Sequence, residues 1–140
     1  MADIPNNITL ILPRVTSKLD SLRETIVDFL NKHNISEGCV SRIELSVYEA
    51  VVNIIEHGSP EYNDKEIHVE CAILGSEVLI TISHYGDRFD ITKAELPDIE
   101  KHYTSGKMRG LGIYFIMTLM DKVEYSHDDM ISTLKMIKII

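Results

Sequence analysis

Apolar positions along the chain change period several times, and each change marks an element. NITLIL, from Asn7 to Leu12, is a short β-favouring run stopped by Pro13. Beyond it Leu19, Leu22, Ile26, Phe29 and Leu30 recur at helical spacing, with Arg23, Glu24 and Asp28 outside the stripe. Thr16 or Ser17 is the expected N-cap of this helix, and Asn31 to Ile35 its end.

Ser36 then opens a longer helix with the stripe Val40, Ile43, Val47, Ala50, Val51, Ile54 and Ile55, closed by Gly58 and Pro60. Past the loop SPEYNDK, Ile67, Val69, Cys71 and Ile73 alternate with a period of two. Gly75-Ser76 turns the chain into a second strand, Val78 to Ile82, ending near His84. No period survives between Tyr85 and Met108, a stretch too long for an ordinary connection, and a lid is expected at about 87–108. Arg109-Gly110-Leu111-Gly112 opens an apolar helix to Met120, and two further β-like runs flank His127-Asp128-Asp129. The predicted order is β-α-α-β-β-lid-α-β-β.

The chain's 140 residues suit one domain, taken as 1–140, and show no repeat, low-complexity tract or linker. Fourteen Lys and Arg against 22 Asp and Glu give a net charge of −8, which disfavours direct nucleic-acid binding. The longest apolar run, Ile113 to Met120, falls far short of the ~20 residues that span a bilayer. The N-terminal residues lack the charged head and apolar centre of a signal peptide, so export is not expected. Cys39 and Cys71 stand outside any CxxC motif and read as two reduced core thiols, which suits the cytoplasm.

Three segments could carry chemistry. On the second helix Glu49, Asn53, Glu56 and His57 fall within about 100° of one another, opposite the apolar stripe. One reading is a solvated outer face whose His57-Gly58 simply ends the helix. The other is a carboxylate base and a carboxamide oxygen ligand for Mg²⁺, which requires a phosphate nearby. Gly110 and Gly112, at the start of a helix and beside Lys107 and Arg109, could supply that phosphate site, or could simply end a loop and allow close packing. His84 to Asp90, HYGDRFD, follows a buried strand and by itself reads as a turn on Gly86.

Together and in this order, the three segments resemble the nucleotide-binding boxes of the GHKL ATPase superfamily, specifically its small anti-sigma factor serine kinases. ELSVYEAVVNIIEHG is similar to the first box, HYGDRFD to the second, and RGLGIYFIMTLMDKVEY to the third. The resemblance implies an α/β two-layer sandwich of the Bergerat type. Helices would cover one face of a mixed, mostly antiparallel sheet, and ATP would lie between helices and lid. It makes Glu49 the catalytic base and Asn53 the Mg²⁺ ligand. His57, Gly58, His84, Gly86, Phe89, Lys107, Arg109, Gly110, Leu111 and Gly112 would join Asn53 around ATP. Arg23 would contact protein partners. Those partners would be a sigma factor, held inactive, and a STAS-type anti-anti-sigma factor phosphorylated on Ser or Thr. Homodimers are implied as well.

His84 stands where the second box normally has the Asp that accepts from the adenine 6-amino group, and imidazole offers one acceptor nitrogen only when neutral. The alternative function is therefore a partner-switch module with weak or no nucleotide use.

Overall fold

The computed structural model describes residues 5–93 and 111–140. In chain order the elements are β1 (Asn7–Leu12), α1 (Leu19–Lys32), α2 (Glu37–His57), β2 (Ile67–Leu74), β3 (Glu77–Tyr85), α3 (Gly112–Leu119), β4 (Lys122–Asp128) and β5 (Ile131–Ile139). The predicted order of strands and helices is reproduced.

The five strands form one open sheet in the order β1-β2-β3-β5-β4. All four pairings are antiparallel, so the mixed sheet expected from the sequence is antiparallel throughout the described strands. Two of the pairs, β2–β3 and β4–β5, are joined by tight turns, whereas β1 reaches β2 through α1 and α2, and β4 intervenes in sequence between β3 and β5. Gly75 adopts φ +58, which a two-residue hairpin needs at its first central position. The β4–β5 turn uses Asp129 and Met130, both at positive φ.

One face of the sheet builds the core, in rows that run across the strands. Ile8, Cys71, Ile80, Met136 and Val123 form one row, and Leu10, Val69, Ile82, Leu134 and Tyr125 the next. Against this face pack the stripes of the long helices, with Leu22, Ile26, Leu30, Ile43, Val47 and Val51 almost wholly withdrawn from solvent. A third row begins apolar at Leu12 and Ile67 and turns polar at His84, Ser132 and His127. There the helices no longer seal the sheet, and a cavity opens.

Some local expectations are corrected. Thr16 and Ser17 do not cap α1; with Lys18 they form a 3-10 turn, and the cap position falls on Lys18 without a side-chain bond. Ser36 does cap α2, accepting from the Cys39 amide at 3.4 Å. Only Cys71 is a core thiol, while Cys39 is half-buried on α2. Most of the lid expected at 87–108 lies outside the described residues; its start carries a 3-10 turn, Ile91–Lys93.

Candidate functional site

The cavity, of about 1130 Å³, lies between the polar end of the sheet and the facing ends of α2 and α3. Its volume suits a ligand the size of a nucleotide. Glu49, Asn53, Glu56 and His57 all line it, so the polar face of α2 is a cavity wall rather than a plain outer surface.

At one end α2 and α3 meet side chain to backbone. A Cβ on Gly112 would lie 2.7 Å from Glu49 Oε2 and 3.4 Å from Asn53 Nδ2. Any larger residue would push the carboxylate aside, so the glycine serves close approach. No side chain caps the N-terminus of α3, whose first residue is Gly112. Helix-start amides with no side-chain cap suit an anion.

Burial raises the Glu49 pKa above the ordinary carboxylate value; the charge of Glu56 raises it further and that of Arg23 opposes the shift. A raised pKa makes the carboxylate a stronger base. Asn53 Nδ2 is buried without a hydrogen-bond partner. Such an atom is costly unless something completes the site. A carboxamide with an orphaned nitrogen, one turn from a carboxylate and beside a helix start, fits Mg²⁺ and phosphate oxygens.

The other end rests on the polar row of the sheet. His84 projects from the inner face of β3, and its Nδ1 is buried without a partner. Burial lowers the His84 pKa, as does the charge of Arg14, so the imidazole is neutral at neutral pH. Arg14 is itself almost buried, at 8% exposure. It reaches across from the end of β1, donating to the carbonyls of Lys65 and Tyr85. A Cβ on Gly58 would sit 2.6 Å from the Ile54 carbonyl oxygen and 3.0 Å from an Arg14 nitrogen. Gly58 thus leaves room for Arg14 where α2 ends.

Gly86 is buried and held on both sides. Its amide donates to the Met130 carbonyl at 2.8 Å, and its carbonyl accepts from His127 Nε2 at 2.9 Å. Phe89, 64% exposed, stands at the rim. Its amide donates to Tyr125 Oη, which lies 2.8 Å from Ser132 Oγ. These bonds tie the start of the expected lid to the β4–β5 hairpin.

Of the residues expected to act, Glu49, Asn53, His57, Gly58, His84, Gly86, Phe89, Leu111 and Gly112 all line this one cavity. Lys107, Arg109 and Gly110 lie outside the described residues. Arg23 is elsewhere. It pairs with Glu44 at 2.8 Å, stacks over Tyr48 at 4.6 Å, and lines a separate shallow depression with Asp20, Glu24 and Val27. Arg14, Tyr62, Tyr125 and Ser132 line the cavity but were not singled out from sequence. The alternation that puts Ile80 and Ile82 inward continues to His84, and that of Met136 and Leu134 continues to Ser132, so the strand period held a signal for Ser132.

A two-layer sandwich with a nucleotide-sized cavity, a helix start at one end and a polar sheet edge at the other defines an ATPase-type nucleotide-binding domain. The chain belongs to the histidine kinase-like ATPase domain family, whose profile matches residues 12–138.

Among curated proteins it is similar to serine-protein kinase RsbW of Listeria monocytogenes serotype 4a (strain HCC23). The two are 29% identical over 136 residues, covering 94% of this chain and 87% of that protein. RsbW of Staphylococcus aureus (strain MSSA476) is 28% identical over 117 residues, covering 80% and 74%. In fold it is similar to the RsbU and RsbW domains of Rv1364c from Mycobacterium tuberculosis, with a TM-score of 0.70 at 15% identity, covering 96% of this chain and 32% of that one. The SiaB-SiaC complex from Pseudomonas aeruginosa gives a TM-score of 0.69 at 13% identity, covering 93% and 88%.

Proposed function

We propose that this chain is an anti-sigma factor with ATP-dependent serine/threonine protein kinase activity. It sequesters a sigma factor and phosphorylates a STAS-type anti-anti-sigma factor in a partner-switching pathway. The observation that carries this reading is the meeting of Glu49 and Asn53 with the glycine that opens α3. The RsbW relatives, named serine-protein kinases, support it.

In this reading ATP, bound with Mg²⁺, supplies the phosphoryl group. Asn53 would hold the metal through its carboxamide oxygen. The amides at the start of α3 would hold the phosphates and favour their negative charge. Glu49 accepts the proton of the substrate hydroxyl, and its partly desolvated position raises its basicity for that step. Arg23, which pairs with Glu44 and stacks over Tyr48 outside the cavity, would contact the protein partner.

The acidic chain suits a basic sigma factor through faster encounter. No helix among the described residues is long and apolar enough to cross a membrane; the proposed place of action is the cytoplasm. Leu74 and Ile139, at 59% and 58% exposure, flank Glu77 on one row of the sheet, an apolar edge that a homodimer would cover.

The test is transfer of labelled phosphate from ATP to STAS-domain proteins of the same genome. Transfer by the wild type and none by Glu49→Gln is expected; no transfer and no nucleotide binding with Mg²⁺ overturns the reading. A second reading, a partner-switch module with weak nucleotide use, is favoured by one observation. His84 offers only a neutral imidazole at the sheet end of the cavity.

A further inference from the structure

The two ends of the cavity differ in chemistry, which decides how a nucleotide would lie. Glu49, Asn53 and the start of α3 gather at one end and suit phosphate and metal. At the other, Tyr125, Phe89 and Leu134 surround a few polar atoms, the usual lining for a flat heterocycle. A base would therefore sit over His84 and Ser132.

Apart from the exposed Asp87, the polar side chains lining that end are donors or neutral groups. Arg14 can only donate, is nearly buried, and forms no ion pair among the described residues. Two of its nitrogens are occupied by the Lys65 and Tyr85 carbonyls. The closed-off His84 Nδ1 has no partner. A neutral imidazole and the Ser132 and Tyr125 hydroxyls can each donate or accept. Asp87, the neighbouring carboxylate, is exposed and takes the Tyr62 hydroxyl at 3.3 Å.

Purines differ in what they present at position 6. Adenine carries an amino donor, whereas guanine and hypoxanthine carry a carbonyl acceptor. A fixed carboxylate at His84 would accept from the amine and repel the carbonyl, which is how a site rejects one of two isosteres. Here, among the described residues, the lining presents a neutral imidazole at His84 and the buried Arg14 guanidinium, with no buried carboxylate, which favours the carbonyl.

We propose that the His84–Arg14 end of the cavity admits 6-oxopurines, so that guanine and hypoxanthine nucleotides bind about as tightly as adenine nucleotides. This rests on the nucleotide-site reading above. The base specificity of the site is set by His84, with Arg14 as the positioning residue behind it.

The experiment is calorimetric titration of wild type and His84→Asp with ADP and with IDP, in Mg²⁺ at neutral pH. For the wild type, IDP should bind within about tenfold of ADP, since no fixed acceptor excludes it. His84→Asp should shift the ratio toward ADP by at least about tenfold. Binding of ADP with IDP more than tenfold weaker on the wild type overturns the inference and leaves the nucleotide site standing. An unchanged ratio in a folded His84→Asp overturns the role of His84. Binding of neither nucleotide to either protein overturns the site reading itself. If His84→Asp does not fold, the wild-type ratio decides.

Discussion

Glu49 on α2 and Gly112 on α3 meet so closely that a methyl on Gly112 would stand 2.7 Å from Glu49 Oε2. The carboxylate is where it is because residue 112 has no side chain.

Gly112→Ala should therefore separate function from stability. The carboxylate is the far end of a flexible side chain and can swing away, and Ala gains up to about 1 kcal/mol in helix propensity over Gly. A melting temperature within a few degrees of wild type is expected, with phosphate transfer reduced at least about tenfold by displacement of the base. Calorimetry and the transfer assay together check this; undiminished transfer would remove Glu49 from its assigned role.

Asn53→Ala should abolish Mg²⁺-dependent nucleotide binding while the fold remains. Asn53 lies on the cavity face of α2, and its Nδ2 has no partner to lose. Titration with ADP in Mg²⁺, alongside circular dichroism, reads both quantities. Unchanged affinity would refute the metal-ligand assignment.

Two opposite pKa shifts predict the response to acid. Glu49 must be ionised to act, and burial and Glu56 raise its pKa. The acid limb of phosphate transfer should lie above the ordinary carboxylate value, and Arg23→Ala should move it higher by removing the charge that opposes the shift. His84 is shifted down by burial, then by Arg14; a backbone hydrogen bond at Tyr85 opposes the shift and His127 adds to it. The folded protein therefore resists protonation there more than the unfolded chain does. Stability falls as pH drops through and below the ordinary histidine value of about 6.5. ADP affinity should hold at neutral pH and fall below that range, where the imidazolium can only donate. Affinity that rises on acidification would contradict the assignment of His84 as an acceptor.

The core prediction is simpler. Ile80, fully buried on the inner face of the sheet, should cost about 2–5 kcal/mol when replaced by Ala, from lost transfer energy and an unfilled cavity. Urea denaturation measures it; a loss below 1 kcal/mol would mean the helices collapse onto the gap.

Much of this molecule was legible in local pattern. The helical stripes of α1 and α2, the alternation of β2 and β3 and the Gly75 turn follow from periods of 3.6 and 2, which neighbours along the chain enforce. Glu49 and Asn53 share a helix face for the same reason. Contacts between distant segments left no such trace. Arg14 bonds the carbonyl of Tyr85, 71 residues away, and nothing around Arg14 in sequence marks it. Thr16 and Ser17 carry good capping chemistry that the tertiary path leaves unused.

The order of elements, the buried faces and the one-turn spacing of the acid and the amide are properties of the chain read locally. Folding alone decided that β5 inserts between β3 and β4, which sets Ser132 opposite His84, and that Gly112 arrives beneath Glu49. Local periodicity fixes which way a side chain faces. Only the pairing of strands and packing of helices, driven by burial of the apolar rows, decides what it faces.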